Sequence, residues 1–446
     1  MSRPIVINNT IKDFNKKITV DGDKSLSIRF ALLASQAIGK SRAYNLLKSE
    51  DVISTINCLK KLGVKVKWDK KNNFCEIFGN GLNSYNFKNN LILNANNSGT
   101  CVRLLSSLLI KSPKKIKLVG DKSLSKRDMA RIIHPLRKFG ANFYPKNKNT
   151  LPIGLKGTNY LRPIDYLELK GSSQCKSSVM LAAMLAPGET NLKCKPSRNH
   201  TELFFKYLKI PVKIKKSKNF ELIKVKGEYN FKSFNYKIPG DISSSAFFIV
   251  LTLLSRNSEL ILKNVGINKS RTGVIQILNK MGAKISFKNK KIYKGESVAD
   301  IYVKSSNSLK SINCPSKLNS SAIDEFLIIF LAAAKAKGIS KFINLEELNK
   351  KESRRLDWGS KILSMMGVKN KLINNHGIKI WGKPNLELKK KFEIKNYLKD
   401  HRITAMSTIA ALSLGGNWKI HDPDSIKTSF PSFFKILRKD LNSKIY

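Results

Sequence analysis

Apolar positions along this chain fall into two recurring textures. Runs such as Phe30-Ala31-Leu32-Leu33-Ala34, Leu104 to Ile110, Val179 to Leu185 and Ile403 to Leu414 have too few polar positions for surface helices. They predict buried helices instead. Short β-type segments stand between them, including Lys17-Ile18-Thr19-Val20 and Ile339 to Leu345. One sequence of events repeats: a helix end, an apolar-Gly-small step, then a hairpin. It reads Leu62-Gly63-Val64, Phe139-Gly140-Ala141, Met281-Gly282-Ala283 and Met366-Gly367-Val368; Ile210-Pro211-Val212 holds the same place with the glycine replaced. The glycine is expected in the left-handed conformation that ends helices. The spacing predicts six units of about 75 residues, each with two helices and about four strands.

The same period governs where the helices begin. Strand-to-helix mouths recur at Ser25, Ser98, Ser173, Asp241, Asp324 and Asp400. Asp21-Gly22-Asp23 reads as a turn and Ser25 as the first helix cap, with Lys24 at its mouth and Arg29 four residues on, on the same face. A second series of helix starts carries cations: Arg127, Arg198, Arg271, Lys351 and Lys427. Every helix needs a cap, and that accounts for Ser243, Ser244 and Asp241. It does not account for cations beside the caps, where the helix dipole disfavours them, so a bound anion is indicated.

Composition narrows the field. With 446 residues and 41% hydrophobic content the chain can build a large core in two to four domains. No apolar run is long enough to span a bilayer, and Met1-Ser2-Arg3-Pro4-Ile5-Val6 lacks a signal-peptide core. The six cysteines are scattered, with no CxxC pair and no histidine at metal-ligand spacing. Reduced thiols in a cytoplasmic protein without zinc are therefore expected. The formal charge is +52, from 83 basic and 31 acidic residues. Such a balance suits a nucleic-acid binder, but the lysines are spread over the whole length with no basic tail or arginine-aromatic tract. No specific nucleic-acid partner is expected; attraction of anionic substrates is.

Several stretches carry candidate chemistry. Asn96-Asn97-Ser98-Gly99-Thr100-Cys101-Val102-Arg103 places Thr100 and Arg103 on one helix face, with Gly99 at the mouth allowing close approach to the backbone. Ser123-Leu124-Ser125-Lys126-Arg127 is expected to open a helix running through Leu136. Gly171-Ser172-Ser173-Gln174-Cys175-Lys176 offers hydroxyls and an amide as neutral donors to a phosphoryl group, and Ser197-Arg198-Asn199-His200 follows as its partner helix start. In Lys350-Lys351-Glu352-Ser353-Arg354-Arg355, Lys351 and Arg355 are expected four apart on one helix face, in mutual repulsion with Glu352 between. Asp400-His401-Arg402 precedes a buried helix, with His401 read as a packed histidine, and Lys427 is expected to open the last helix.

These motifs, in this order from Lys24 to Lys427, resemble the enolpyruvyl transferases of the EPSP synthase (3-phosphoshikimate 1-carboxyvinyltransferase) family, and in part its class II subgroup. The resemblance implies an α/β (α+β) fold of two pseudo-threefold domains, an inside-out α/β barrel of six βαβαββ units. Residues 1–20 and 239–446 would form one discontinuous domain and 21–238 the other, with the active site in the cleft between them. It also implies transfer of the enolpyruvyl group of phosphoenolpyruvate to the 5-hydroxyl of shikimate 3-phosphate, without metal or cofactor, by a cytoplasmic monomer.

Carried over by resemblance, Lys24, Gly99, Arg127, Gln174, Arg355, Arg402 and Lys427 would hold phosphoenolpyruvate. Lys24, Ser25, Arg29, Ser172, Ser173, Gln174, Arg198, Asp324 and Lys351 would surround shikimate 3-phosphate. Asp324, Glu352 and Lys24 would be catalytic. Glyphosate would compete at the phosphoenolpyruvate site, with Gly99 leaving room for it. Two departures stand out: Arg354 occupies a position where Asp is usual, and Asp128 one where Pro is usual. They put a local salt bridge and a firm helix start in question. The rival within the fold is UDP-N-acetylglucosamine enolpyruvyl transferase, which uses a loop cysteine as acid; the matching loop here has none. The rival from another class is a basic nucleic-acid-binding protein.

Overall fold

The computed structural model describes residues 3–69, 71–306, 308–374 and 376–446; Met1 and Ser2, read above for a leader segment, lie outside them. The chain divides into two compact units. The split unit comprises Met1–Asp21, Pro239–Ile292 and Ser297–Tyr446, and the continuous unit Gly22–Ile238 with the turn Tyr293–Glu296. Sequence alone assigned that turn to the discontinuous domain. Each unit has its own apolar core.

The repeat is visible as sheets. In the continuous unit they run, in spatial order, Asn235–Lys237, Ile38–Tyr44, Phe74–Asn80, Lys65–Asp69; then Leu91–Asn94, Lys115–Val119, Ile153–Lys156, Asn142–Tyr144; then Asp165–Glu168, Glu189–Cys194, Glu221–Lys226, Val212–Lys216. In each the first pair is parallel and the remainder antiparallel. The last strand of the unit thus closes the sheet of the first repeat. In the split unit the early strands do this work. Asn15–Ile18 pairs in parallel with Glu259–Gly266, and Ile5–Ile7 pairs antiparallel with Gly415–Ile420. The discontinuity follows from that pairing: two sheets of this unit need strands from the chain's first twenty residues.

Three helices fill the middle of each unit: Lys24–Ala34, Gly99–Leu108 and Ser173–Ala183 in one, Ile242–Leu254, Phe326–Ala334 and His401–Leu414 in the other. They carry long apolar runs because they are buried on nearly every side; every residue of Ile242–Leu254 is buried. Burying one such Leu or Phe contributes about 1.5–3 kcal/mol. Hydroxyls inside these helices are satisfied by the preceding turn: Ser245 Oγ donates to the Asp241 carbonyl at 2.9 Å and Thr252 Oγ1 to that of Phe248 at 2.8 Å. Ser107 and Ser178 hydrogen-bond each other at 2.7 Å between two of the inner helices.

The glycine steps close the outer helices as expected. Gly63, Gly140, Gly282 and Gly367 have φ of +86°, +115°, +88° and +71°. The residue after each donates its N–H back to the helix, as Val64 does to the Leu59 carbonyl at 3.0 Å. The replaced member of the series is Lys209 (φ +58°), and not Pro211. Ile210 N–H then reaches the Phe205 carbonyl at 2.9 Å, the same bond in the same place. A lysine there accepts the left-handed strain that glycine avoids.

Three of the expected caps shift by one or two residues. The first inner helix is Lys24–Ala34, capped by Asp23, whose carboxylate accepts from Leu26 N–H; Ser25 lies inside it. Ser172, and not Ser173, caps Ser173–Ala183. The helix after Asp324 begins at Phe326 with Glu325 at its cap position. Ser98, Asp241 and Asp400 cap as expected, each accepting a backbone N–H.

Candidate active site

In the continuous unit several site residues gather around Gly99. Gly99 opens an inner helix; a β-carbon there would lie 3.1 Å from Arg103 Nη1 and 3.3 Å from Arg127 Nη1. Two guanidinium groups therefore converge on the one residue without a side chain. Arg103 donates to Gln174 Oε1 at 2.6 Å, and Gln174 Nε2 donates to Thr100 Oγ1 at 3.0 Å. Arg127 donates to Asn97 Oδ1 at 3.1 Å, and Asn97 in turn to Asp121 at 2.6 Å. Amides and a hydroxyl thus help to hold two guanidinium groups beside Gly99.

Arg29 is buried and donates to Thr201 Oγ1 (2.9 Å), Ser177 Oγ (2.8 Å) and the Ser25 carbonyl (3.2 Å), so it and Ser25 do share one face. Lys24 pairs with Asp51 at 2.9 Å. Ser172 accepts from Cys175 N–H while Ser173 opens the helix behind it. Below them Lys176, fully buried, sits between Glu202 and Glu221 at 2.6 and 3.0 Å. Arg198 is half-buried in the loop before His200–Tyr207.

In the split unit the site gathers around Arg355, 3% exposed at its side chain. Its Nε and Nη2 grip Asp400 at 2.9 and 3.1 Å, Nη2 also reaches Glu352 at 2.5 Å, and Nη1 reaches Asp324 at 3.5 Å. Lys351 Nζ meets the same Asp324 oxygen at 3.1 Å. Burial works against the charge on Arg355, but Asp400 and Glu352 outweigh it and raise its pKa. Asp400 also accepts from Ser353 Oγ at 2.9 Å and from Arg402 N–H at 3.0 Å. It ties the start of Arg355–Met365 to the start of His401–Leu414. Arg402 lies 3.9 Å from Glu325, which also takes a hydrogen bond from Ser243.

Several expectations need correction here. Arg127 does not open a helix; it ends the short turn Leu124–Lys126, and the helix is Ala130–Lys138. Lys351 and Arg355 do not repel on one helix face. Lys351 is extended ahead of Arg355–Met365, and both cations point at Asp324. Lys427 lies near the end of the 3-10 turn Pro423–Thr428; it is 55% exposed and paired with Asp424 at 2.7 Å. Arg354 forms its own local bridge, to Asp357 at 2.5 Å. Asp128 firms its helix start, accepting from Ala130 N–H at 2.8 Å.

Asp324, Glu352, Lys351, Arg355 and Arg402 thus share one network, and Gly99, Arg127 and Gln174 another. Members of these networks that the site set lacks include Asn97, Thr100, Arg103, Asp121, Ser353 and Asp400. Asn97 and Arg103 stand inside the quoted Gly99 motif, and Asp400 was read only as a cap, so the signal was present.

No group of three or more His, Cys, Asp or Glu that could hold a metal ion occurs among the described residues, and no helix there is long and apolar enough to cross a membrane. All six cysteines are buried thiols. Burial pushes Cys75, Cys175 and Cys194 up to about 12 and Cys314 to about 11, which disfavours the thiolate.

Comparison with known proteins places this geometry. The family profile described as EPSP synthase (3-phosphoshikimate 1-carboxyvinyltransferase) matches residues 8–437. A 3-phosphoshikimate 1-carboxyvinyltransferase of Ruthia magnifica subsp. Calyptogena magnifica is 39% identical over 424 residues, 94% of either chain. The EPSP synthase structure from Acinetobacter baumannii superposes with a TM-score of 0.86 at 34% identity, covering 100% of this chain and 99% of that one. The enolpyruvyl transferase NikO from Streptomyces tendae shares the fold, with a TM-score of 0.76 at 13% identity, covering 100% and 99%. The chain belongs to the EPSP synthase family, the 3-phosphoshikimate 1-carboxyvinyltransferases.

Proposed function

We propose that the protein transfers the enolpyruvyl group of phosphoenolpyruvate to the 5-hydroxyl of shikimate 3-phosphate, releasing phosphate, with residues of both units taking part. The observation that carries the assignment of roles is the Arg355 cluster. There a buried, permanently charged guanidinium holds Asp324 and Glu352 on one side chain, with Lys351 on the same Asp324 oxygen. Acid-base chemistry needs carboxylates at fixed separation from substrate, and Arg355 fixes two of them.

In this reading Asp324 accepts the proton of the 5-hydroxyl as its oxygen attacks C2 of phosphoenolpyruvate. Glu352, with Lys24, delivers a proton to C3. The tetrahedral adduct then expels phosphate, and the proton returns from C3 as the enol ether forms. Arg127, Arg355 and Arg402 neutralise the phosphate and carboxylate of phosphoenolpyruvate, with Gly99 and Gln174 lining the same spot and Lys427 a further cation for it. Ser25, Arg29, Ser172, Ser173, Arg198 and Lys351 take shikimate 3-phosphate. Asp324 faces shikimate 3-phosphate as well, and Lys24 and Gln174 face both substrates. Hydroxyls at the Ser172 helix start suit a phosphate monoester, since N-terminal N–H groups add to them. A cytoplasmic monomer requiring neither metal nor cofactor completes the proposal.

The test is phosphate release from phosphoenolpyruvate, with and without shikimate 3-phosphate, and with UDP-N-acetylglucosamine as the competing acceptor. Release that depends on shikimate 3-phosphate supports the reading; release that depends on the nucleotide sugar refutes it. Tight RNA binding, steeply lost with salt and without any turnover, would refute it as well.

A further inference from the structure

The split unit contains a cavity of about 460 Å³ close to its last helical turns. Its floor is apolar, formed by the buried Ile5 and Ile426, with Phe434 as a wall. Its rim carries four cations, Lys427, Lys435, Arg438 and Lys439, against a single carboxylate, Asp424. Asp424 is committed to Lys427 at 2.7 Å. The remaining cations gather like charge around one opening, an arrangement that a bound anion relieves.

Two further observations mark the place. Ile436–Asp440 is a turn of π-helix, closed by the Leu441 N–H bond to the Ile436 carbonyl at 3.1 Å. Such turns are rare, cost hydrogen-bond quality and concentrate at functional sites. This one carries Arg438 and Lys439 to the rim. Arg438 is also held in place: its Nε donates to the Ile445 carbonyl at 3.2 Å, and its guanidinium sits 5.7 Å from the centre of the Phe434 ring. A pre-oriented guanidinium beside an aromatic ring suits a planar anion, because the remaining N–H fork can bind a carboxylate or phosphate in two places.

We propose that this cavity binds a small aromatic anion, a ring bearing a carboxylate or a phosphate monoester. The ring lies on the apolar floor against Phe434, and the anionic group meets Arg438 and Lys439. The volume falls within the range of ordinary small-molecule sites. An anion here also competes with Asp424 for Lys427. Occupancy is then expected to raise the apparent KM for phosphoenolpyruvate. That coupling rests on the role proposed for Lys427 above; the binding itself does not.

The experiment is calorimetric titration of the full chain with phenyl phosphate, benzoate and inorganic phosphate. It is repeated on Arg438→Gln, Lys439→Gln and the control Lys215→Gln, an exposed lysine of the continuous unit, with melting temperature checking the fold of each. Expected is saturable binding of one ring-bearing anion, about tenfold tighter than inorganic phosphate, since the floor adds apolar burial. Each of the first two variants should weaken it about tenfold, one charge-assisted contact each, and the control should not. No saturable binding, equal affinity for inorganic phosphate, or indifference to both rim variants would overturn the proposal. Binding as expected with an unmoved KM supports the cavity and removes Lys427 from the phosphoenolpyruvate set.

Discussion

The two arginine-centred networks solve opposite problems. Around Arg355, three carboxylates close on one guanidinium, and Lys351 joins the outermost of them. Around Gly99, Arg103 and Arg127 are brought together and held by Gln174, Thr100 and Asn97, none of which carries charge. The first cluster sets its carboxylates directly against its cations, so charge fixes where Asp324 and Glu352 stand. The second orients its arginines through amide and hydroxyl groups, so hydrogen-bond geometry sets where they point. The difference teaches that one fold can orient its arginines in two ways, by direct carboxylate pairs or through amides and hydroxyls.

Substitutions can break that contrast. The largest effect is expected for Asp324→Asn: turnover should fall by roughly two to four orders of magnitude while both substrates still bind, the usual worth of a general base. Steady-state rates alongside calorimetry check it, and near-normal turnover would remove Asp324 from the role.

Next comes stability. Asp400→Ala strips the two-point partner from a buried Arg355 and should cost about 3–5 kcal/mol, the range for breaking a buried ion pair. Gln174→Ala removes a neutral bond to Arg103 and should cost about 1.5–3 kcal/mol at most. Urea unfolding of both variants decides; equal losses would erase the distinction between a charged and a neutral frame.

Binding should separate the networks more finely. Lys351→Met is expected to weaken shikimate 3-phosphate, and Arg127→Ala chiefly phosphoenolpyruvate, each by about 1.5–3 kcal/mol. The opposite pairing in calorimetry would refute the site map. Lys427→Ala should matter less, by about 0–1 kcal/mol, since binding must first displace Asp424 from an exposed pair.

The smallest change is Gly99→Ala. Its methyl would press on Arg103 and Arg127 at 3.1 and 3.3 Å, tighter than ordinary contact. Glyphosate inhibition should be relieved and phosphoenolpyruvate binding modestly weakened. An inhibition series at several phosphoenolpyruvate concentrations checks this; equal inhibition of both proteins would show that the methyl position does not control access.

Much of the fold was legible because buried helices must carry long apolar runs and helix ends need left-handed residues. Those two demands recur every unit, so Gly63, Gly140, Gly282 and Gly367 announced the period. Lys209 was illegible as the member of that series because a lysine gives no composition signal for positive φ. Caps slipped for a similar reason: Asp23 and Ser25 are both good caps, and only the path of the backbone chooses. The site was harder. Lys351 and Arg355 looked like like-charged neighbours, since their spacing counts as one face only if the helix includes both, and it begins at Arg355. Asp400 looked like a cap and is also the bidentate partner of Arg355, a contact 45 residues away along the chain. Long-range pairings of that kind leave no periodic trace.

The pairing of Ile5–Ile7 with Gly415–Ile420 also sets a timetable for synthesis. The ribosome makes one partner some four hundred residues before the other, with the whole continuous unit emerging between them. That unit holds the strands of its own three sheets within residues 38–237, so it can mature while the rest is still being made. The early strand must wait, and a strand waiting with open edges is exposed to wrong partners. Refolding from denaturant should therefore show the split unit completing last, limited by the closure of a loop of some four hundred residues.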